Sequence, residues 1–293
     1  MQIGVALPQM AQGLNADRIT QWCRGIDEGP FSSISAGERI TFHNVDGFTL
    51  MNAAAVLTDR VRIFFNVAVV PWHDPTMLAK QFAGLDVLSN GRLDVAVGVG
   101  GRADDYTALN ASFNGRHQRL DRGVGELKRL WAGGLAADGA PVGPPMVQPG
   151  GPRVLCSGMG PKSLARAVAW ADGVSGFSLG ADAAETNRLF TAVRAAWTHA
   201  NRPTPPRLVT GVFVALGPEA QDTLHEFAAT YLSVFGPELA DALAKMMPVH
   251  SVAALERTIA EMAAVGTDEL ILVPASSDPE LLARITDVVQ SVQ

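Results

Sequence analysis

Cysteine is nearly absent: the 293 residues contain two, Cys23 and Cys156, far apart along the chain. They form neither a disulfide framework nor a metal-ligand spacing, and such usage suits a reducing cytoplasm. No uninterrupted apolar run approaches ~20 residues, so no segment reads as a membrane-crossing helix. No basic stretch followed by an apolar one opens the chain; strand-like sequence begins at Ile3-Gly4-Val5-Ala6-Leu7, and a cytoplasmic protein is expected. Charge is also sparse, at 18% of residues, with 23 basic against 29 acidic and a net charge of −6. No Lys/Arg stripe forms, which argues against nucleic acid as a partner. A Ser/His/Asp arrangement, an HExxH pattern and clustered metal ligands are all missing, so triad hydrolysis and zinc chemistry are poor readings.

Apolar residues are plentiful, at 47% of the chain, enough for a sizeable buried core. Short apolar, β-branched runs recur at 3–7, 32–36, 61–70, 93–99, 153–157, 173–177, 207–216 and 269–273. Several are nearly continuous, as parallel strands buried on both faces require. Helical spacing separates them: Ile19, Trp22, Cys23 and Ile26; Leu78, Phe82, Leu85 and Leu88; Leu120, Val124, Leu127 and Trp131; Leu255, Ile259 and Met262. Asp74-Pro75-Thr76 supplies a cap with proline at the first helical position, and Asn90-Gly91 closes that helix. Eight strands, each followed by helical sequence, predict an α/β fold, a (β/α)8 TIM barrel forming one domain over residues 1–293. An open doubly wound sheet is the alternative. The Pro-rich loops Gly139–Pro152 and Asn201–Pro206 read as connections within the domain.

In such a barrel, chemistry sits where strands end and helices begin. Gly98-Val99-Gly100-Gly101 follows the fourth strand and permits close approach of a ligand to backbone, or is a plain turn. Ser157-Gly158-Met159-Gly160-Pro161-Lys162-Ser163 follows the fifth and opens a helix, either a phosphate cradle or an ordinary turn. Asn66-Val67 interrupts the third strand with a polar residue, which either aims at a ligand or is satisfied in the core. Glu38-Arg39 ends the second strand, either facing the cavity or forming an exposed ion pair. His43 and His73 lie near the same end, as do Asp104, Asp105 and Tyr106.

Three stretches then resemble a known family. They are Leu57-Thr58-Asp59-Arg60-Val61-Arg62-Ile63, Pro71-Trp72-His73-Asp74-Pro75, and Leu78 through Gly100 with its Leu88-Ser89-Asn90-Gly91-Arg92 core. Arg119 through Trp131 and Ser157-Gly158 continue the likeness. The sequence resembles the luciferase-like monooxygenases, including their branch dependent on the deazaflavin coenzyme F420. The resemblance implies a barrel that binds F420, or alternatively FMN, at its C-terminal mouth. It maps Asn66-Val67 onto a third-strand bulge with a non-proline cis peptide behind the ring, with Val69 beyond it. It places Gly98, Val99 and Gly100 beside the ring or ribityl chain, Asp104 near that chain, and Cys156, Ser157, Gly158 and Met159 near the phosphate. It also implies a homodimer acting on a small-molecule substrate. Many deazaflavin dehydrogenases end the second strand with Asp-His; here Glu38 and Arg39 take those places as the candidate catalytic pair. Arg39 stays protonated near neutrality and is a poor base, better suited to an anionic or carbonyl-bearing substrate. Hydride transfer with F420 is the expected activity. FMN-dependent monooxygenation, a non-catalytic flavin carrier and a phosphosugar enzyme are the alternatives.

Overall fold

A computed structural model describes residues 1–158 and 160–292. Eight parallel strands form a closed barrel in chain order: β1 (Gln2–Ala6), β2 (Ser33–Ala36), β3 (Arg62–Val69), β4 (Leu93–Gly98), β5 (Arg153–Cys156), β6 (Gly173–Ser175), β7 (Arg207–Val214) and β8 (Glu269–Pro274). The helices are α1 (Ala16–Glu28), α2 (Gly47–Leu57), α3 (Pro75–Leu88), α4 (Ala103–Ala108), α5 (Arg116–Trp131), α6 (Pro161–Trp170), α7 (Ala183–His199), α8 (Ala220–Leu232), α9 (Pro237–Ala244), α10 (Val252–Ala264) and α11 (Pro279–Val292). This is the expected barrel. The four helical patterns read from spacing fall in α1, α3, α5 and α10. Each strand prediction lands within two residues of the observed bounds, and α3 begins on Asp74, whose side chain accepts from Met77 N–H at 2.9 Å. Among the described residues no helix is long and apolar enough to cross a membrane.

The chain divides into two compact units, Met1–Ser35 with Ser175–Gln293, and Ala36–Val174. In the first, β7 pairs with β8 and β8 with β1. Phe213 on β7 packs against Phe177 and Phe227, anchoring a cluster that α8 and α9 complete. The buried Glu269 carboxylate at the start of β8 accepts from Ser32, Ser33 and Arg207, which satisfies a charge that burial would otherwise penalise.

The second unit holds β3, β4 and β5 in register and contains every candidate site residue. Its core is aromatic: Phe82 on α3 meets Phe48, Phe65 and Trp131, with centroids 5.0, 5.3 and 6.0 Å away. Arg92 explains the family-like Leu88–Arg92 stretch. Its guanidinium donates to the carbonyls of Ser89, Val61, Ala55 and Thr58 and to the Thr58 hydroxyl. One side chain thus satisfies bare acceptors at the end of α2 and the approach to β3. The Pro-rich segment before β5 is tied down by Asp86. That buried carboxylate accepts from the Val147 and Gln148 amides and from Gln148 Nε2. The tip of the segment, Ala136–Ala140, turns back on itself in the open.

Candidate active site

The C-terminal ends of β2 to β5 meet around an irregularity in β3. Register against β4 shifts between Asn66 and Ala68, and the Asn66–Val67 peptide is cis, as the family resemblance implies. After Arg62, Asn66 and Val67 are the only half-buried positions of an otherwise buried strand. Both flanks of this step are glycine. A Cβ on Gly37 would lie 2.5 Å from Asn66 O and from Val67 N, so the end of β2 lies flush on that peptide. Behind Gly37, a Cβ on Gly47 would lie 2.6 Å from Gly37 O. On the β4 side, a Cβ on Gly98 would meet Val67 Cγ1 at 3.1 Å and Ser157 Cβ at 3.4 Å. Glycine at 37 and 98 therefore lets the chain after β2 and the end of β4 pack directly on the step in β3. Val99 and Gly100 follow half-buried; Gly100 has a φ of 62°, and its position sits against Val69 and Trp72.

Glu38 occupies the end of β2 as expected, but its oxygens are directed at protein. Oε2 accepts from Val69 N–H at 2.7 Å, and Oε1 lies 2.8 Å from His73 Nε2. Arg39 is buried, its guanidinium 3.7 Å above the Phe42 ring. Asp104 is exposed, whereas its neighbour Asp105 is buried and accepts from Thr41 N–H and Thr41 Oγ1 at 2.7 and 2.6 Å. Asp105 thus fixes the loop after Arg39 from across the site. Tyr106 donates to Val99 O, and burial pushes its phenol pKa up despite Arg119 and Arg116 nearby. His43 is exposed, its ring tilted against Phe42 with centroids 4.1 Å apart.

Cys156 closes β5 fully buried; burial, reinforced by the Asp121 carboxylate, pushes its thiol up to about 12. It is a neutral, inert group in this setting. Ser157 and Gly158 are half-buried, Ser157 N–H donating to Val97 O, while Met159 lies outside the described residues. Helix α6 starts at Pro161, which has no N–H, and Ser163 N–H donates to Gly160 O. Side chains therefore carry much of the donor capacity here. The surroundings hold Arg166, Arg116 and Lys162 together with the Asp121 carboxylate, which pairs with Arg166 at 2.9 Å. His117 at the start of α5 has its pKa lowered first by burial and then by Arg166, Arg116 and Lys162, against the opposing pull of Asp121. Beside Gly101 and Gly160 there is open space, since an added Cβ meets nothing within 4 Å. This open donor set fits an anionic tail, and the glycine-flanked step fits a flat ring.

Sequence reasoning passed over Gly37, Gly47 and the reach of Asp105. A glycine closing a strand was the available signal for the first; the others depend on contacts across long stretches of chain.

A family model described as luciferase-like monooxygenase matches residues 1–285. The oxygenase component of a flavin-dependent trigonelline monooxygenase from Acinetobacter baylyi is 29% identical over 140 residues, 45% of this chain and 38% of that one. The chain spans about a third of the length of the curated relatives it matches. Among solved structures, an F420-dependent secondary alcohol dehydrogenase in complex with an F420–acetone adduct superposes with a TM-score of 0.81 at 17% identity, covering 100% of both chains. A monooxygenase from Streptomyces bottropensis gives 0.79 at 22% identity, covering 99% of this chain and 98% of that one. These two likenesses concern the fold.

Proposed function

The chain belongs to the luciferase-like monooxygenase family, and from that premise we propose that it is an oxidoreductase transferring hydride between the deazaflavin coenzyme F420 and a small organic substrate. The observation that carries this reading is the half-buried step at Asn66-Val67, against which Gly37 and Gly98 pack directly. A planar tricyclic ring would rest one face against the half-buried Asn66-Val67 step and leave the other to the substrate. Asn66, Val67, Val69, Gly98, Val99 and Gly100 would hold the ring and the chain attached to it, with Asp104 at the exposed rim. Ser157 and Gly158 would take the phosphate, assisted by Lys162, Arg116 and Arg166. Cys156 would contribute packing only, because its thiol stays protonated.

When bound, the deazaflavin supplies the hydride acceptor or donor; the protein supplies position and electrostatics. Arg39, fixed over Phe42, offers a permanently charged planar donor to a carboxylate or carbonyl of the substrate. Glu38 acts one step back, since its oxygens are engaged by Val69 and His73.

FMN-dependent oxygenation is the second reading, favoured by the likeness to the trigonelline monooxygenase component. Fluorescence titration of the purified protein with F420 and with FMN separates the two. Saturable F420 binding is the expected result, and tight FMN binding without F420 affinity refutes the assignment. The single-domain organisation over residues 1–293, a homodimeric assembly and a cytoplasmic location belong to the same proposal.

A further inference from the structure

Two neighbours make incompatible demands on one ring nitrogen at the end of β3. Trp72 Nε1 and Glu38 Oε1 each lie 2.8 Å from His73 Nε2. An indole nitrogen only donates, so Trp72 requires Nε2 as an acceptor. A carboxylate only accepts, so Glu38 requires Nε2 to carry the proton. The charge-assisted bond to a carboxylate is roughly twice as strong as one between neutral groups. The Glu38 side chain is 4% exposed, so water compensates its Oε1 little if the bond is lost. The carboxylate therefore wins: Nε2 holds the proton, and Nδ1 keeps its lone pair. The His73 side chain is 22% exposed, which leaves the ring accessible. Glu38 and an edge contact with Phe48, with centroids 6.3 Å apart, hold the ring, while the backbone N–H of His73 donates to Val70 O.

We propose that His73 is the proton carrier of this site, with Glu38 as its positioning residue. The proposal rests on the redox reading above and takes the substrate to be an alcohol–carbonyl pair, in which hydride transfer leaves an oxygen that must gain or lose a proton. In oxidation, the carbinol C–H leaves as hydride to the oxidised cofactor, and the hydroxyl proton passes to His73 Nδ1. The products are a carbonyl compound, the reduced cofactor and an imidazolium whose Nε2–H still donates to Glu38. Reduction reverses both transfers. The arrangement has the logic of a carboxylate-oriented histidine base, in which one nitrogen is fixed so that the other can react. It also places the base in the turn after β3, while Arg39 stands in the segment after β2.

The test begins on cofactor-free protein with 15N-labelled histidine, where long-range 1H–15N spectra report the tautomer of each ring and His73→Gln identifies the signal. The expected wild-type state is Nε2–H, retained in Trp72→Phe and shifted toward Nδ1–H in Glu38→Gln. With cofactor bound, His73→Ala should lose about 100-fold or more in hydride transfer to a carbonyl substrate while its cofactor affinity changes less than about threefold, and added imidazole should restore part of the rate. An Nδ1–H tautomer in the wild type, or an undiminished rate in His73→Ala, overturns the proposal while leaving cofactor binding intact. Failure of the wild type to bind F420 overturns the redox reading first, and the proposal with it.

Discussion

Adding one methyl group at Gly37 should damage both the fold and the cofactor platform. The new Cβ would stand 2.5 Å from Asn66 O and Val67 N and 2.8 Å from Asn66 C, all backbone atoms that have no rotamer to escape into. Ordinary contact begins near 3.4 Å, so the end of β2 and the step in β3 must part by about 0.9 Å. Overpacking of this kind costs about 1–3 kcal/mol. A displacement near 1 Å in a positioned site costs up to ~100-fold in rate. Gly37→Ala is therefore expected to unfold at lower urea, by about 2 kcal/mol, and to bind cofactor at least about tenfold more weakly. Gly84→Ala is the matched control. An added Cβ there meets nothing within 4 Å, and the position lies inside α3, where alanine should stabilise by roughly 0.5–1 kcal/mol. If the two variants are indistinguishable in urea midpoint and cofactor affinity, the flush packing of β2 on β3 is not what shapes the platform.

Arg92→Ala removes donors to five acceptors at once and should lower stability by roughly 3 kcal/mol; a loss below about 1 kcal/mol in urea titration contradicts the keystone role given to it. Cys23 and Cys156 both have thiols raised to about 12 by burial. Because the folded value lies above the unfolded one, stability is full below about pH 9 and falls as pH rises toward 12, by roughly 1 kcal/mol per pH unit for each thiol. Denaturation series across that range should show the decline in the wild type and half of it in Cys156→Ala, and neither thiol should react with iodoacetamide before unfolding.

The barrel was legible because its strands are buried on both faces and so spell continuous apolar runs, such as Ile63-Phe64-Phe65 and Leu93 through Gly98. Helix starts were legible where capping is local, as at Asp74-Pro75. The division of labour within the site was not. Glu38 reads as a charge facing a cavity, yet its partners stand 31 and 35 residues downstream. Asp105 reads only as a residue near the strand ends beside Asp104 and Tyr106, and the folded chain shows it bonded 64 residues back to Thr41. Likewise α8 and α9 were not anticipated between the seventh and eighth strands. Spacing along the chain reports which face a residue shares; it carries little information about which loop will lie opposite.

The anchoring of the Pro-rich segment by Asp86 has a practical outcome for labelling. Everything from Val147 onward is clamped before β5 begins, while Asp138 and Gly139 sit at an outward turn closed by the Ala136–Ala140 pair. A fluorophore or affinity peptide spliced between Asp138 and Gly139 would thus enter an exposed turn that the Asp86 anchor separates from β5.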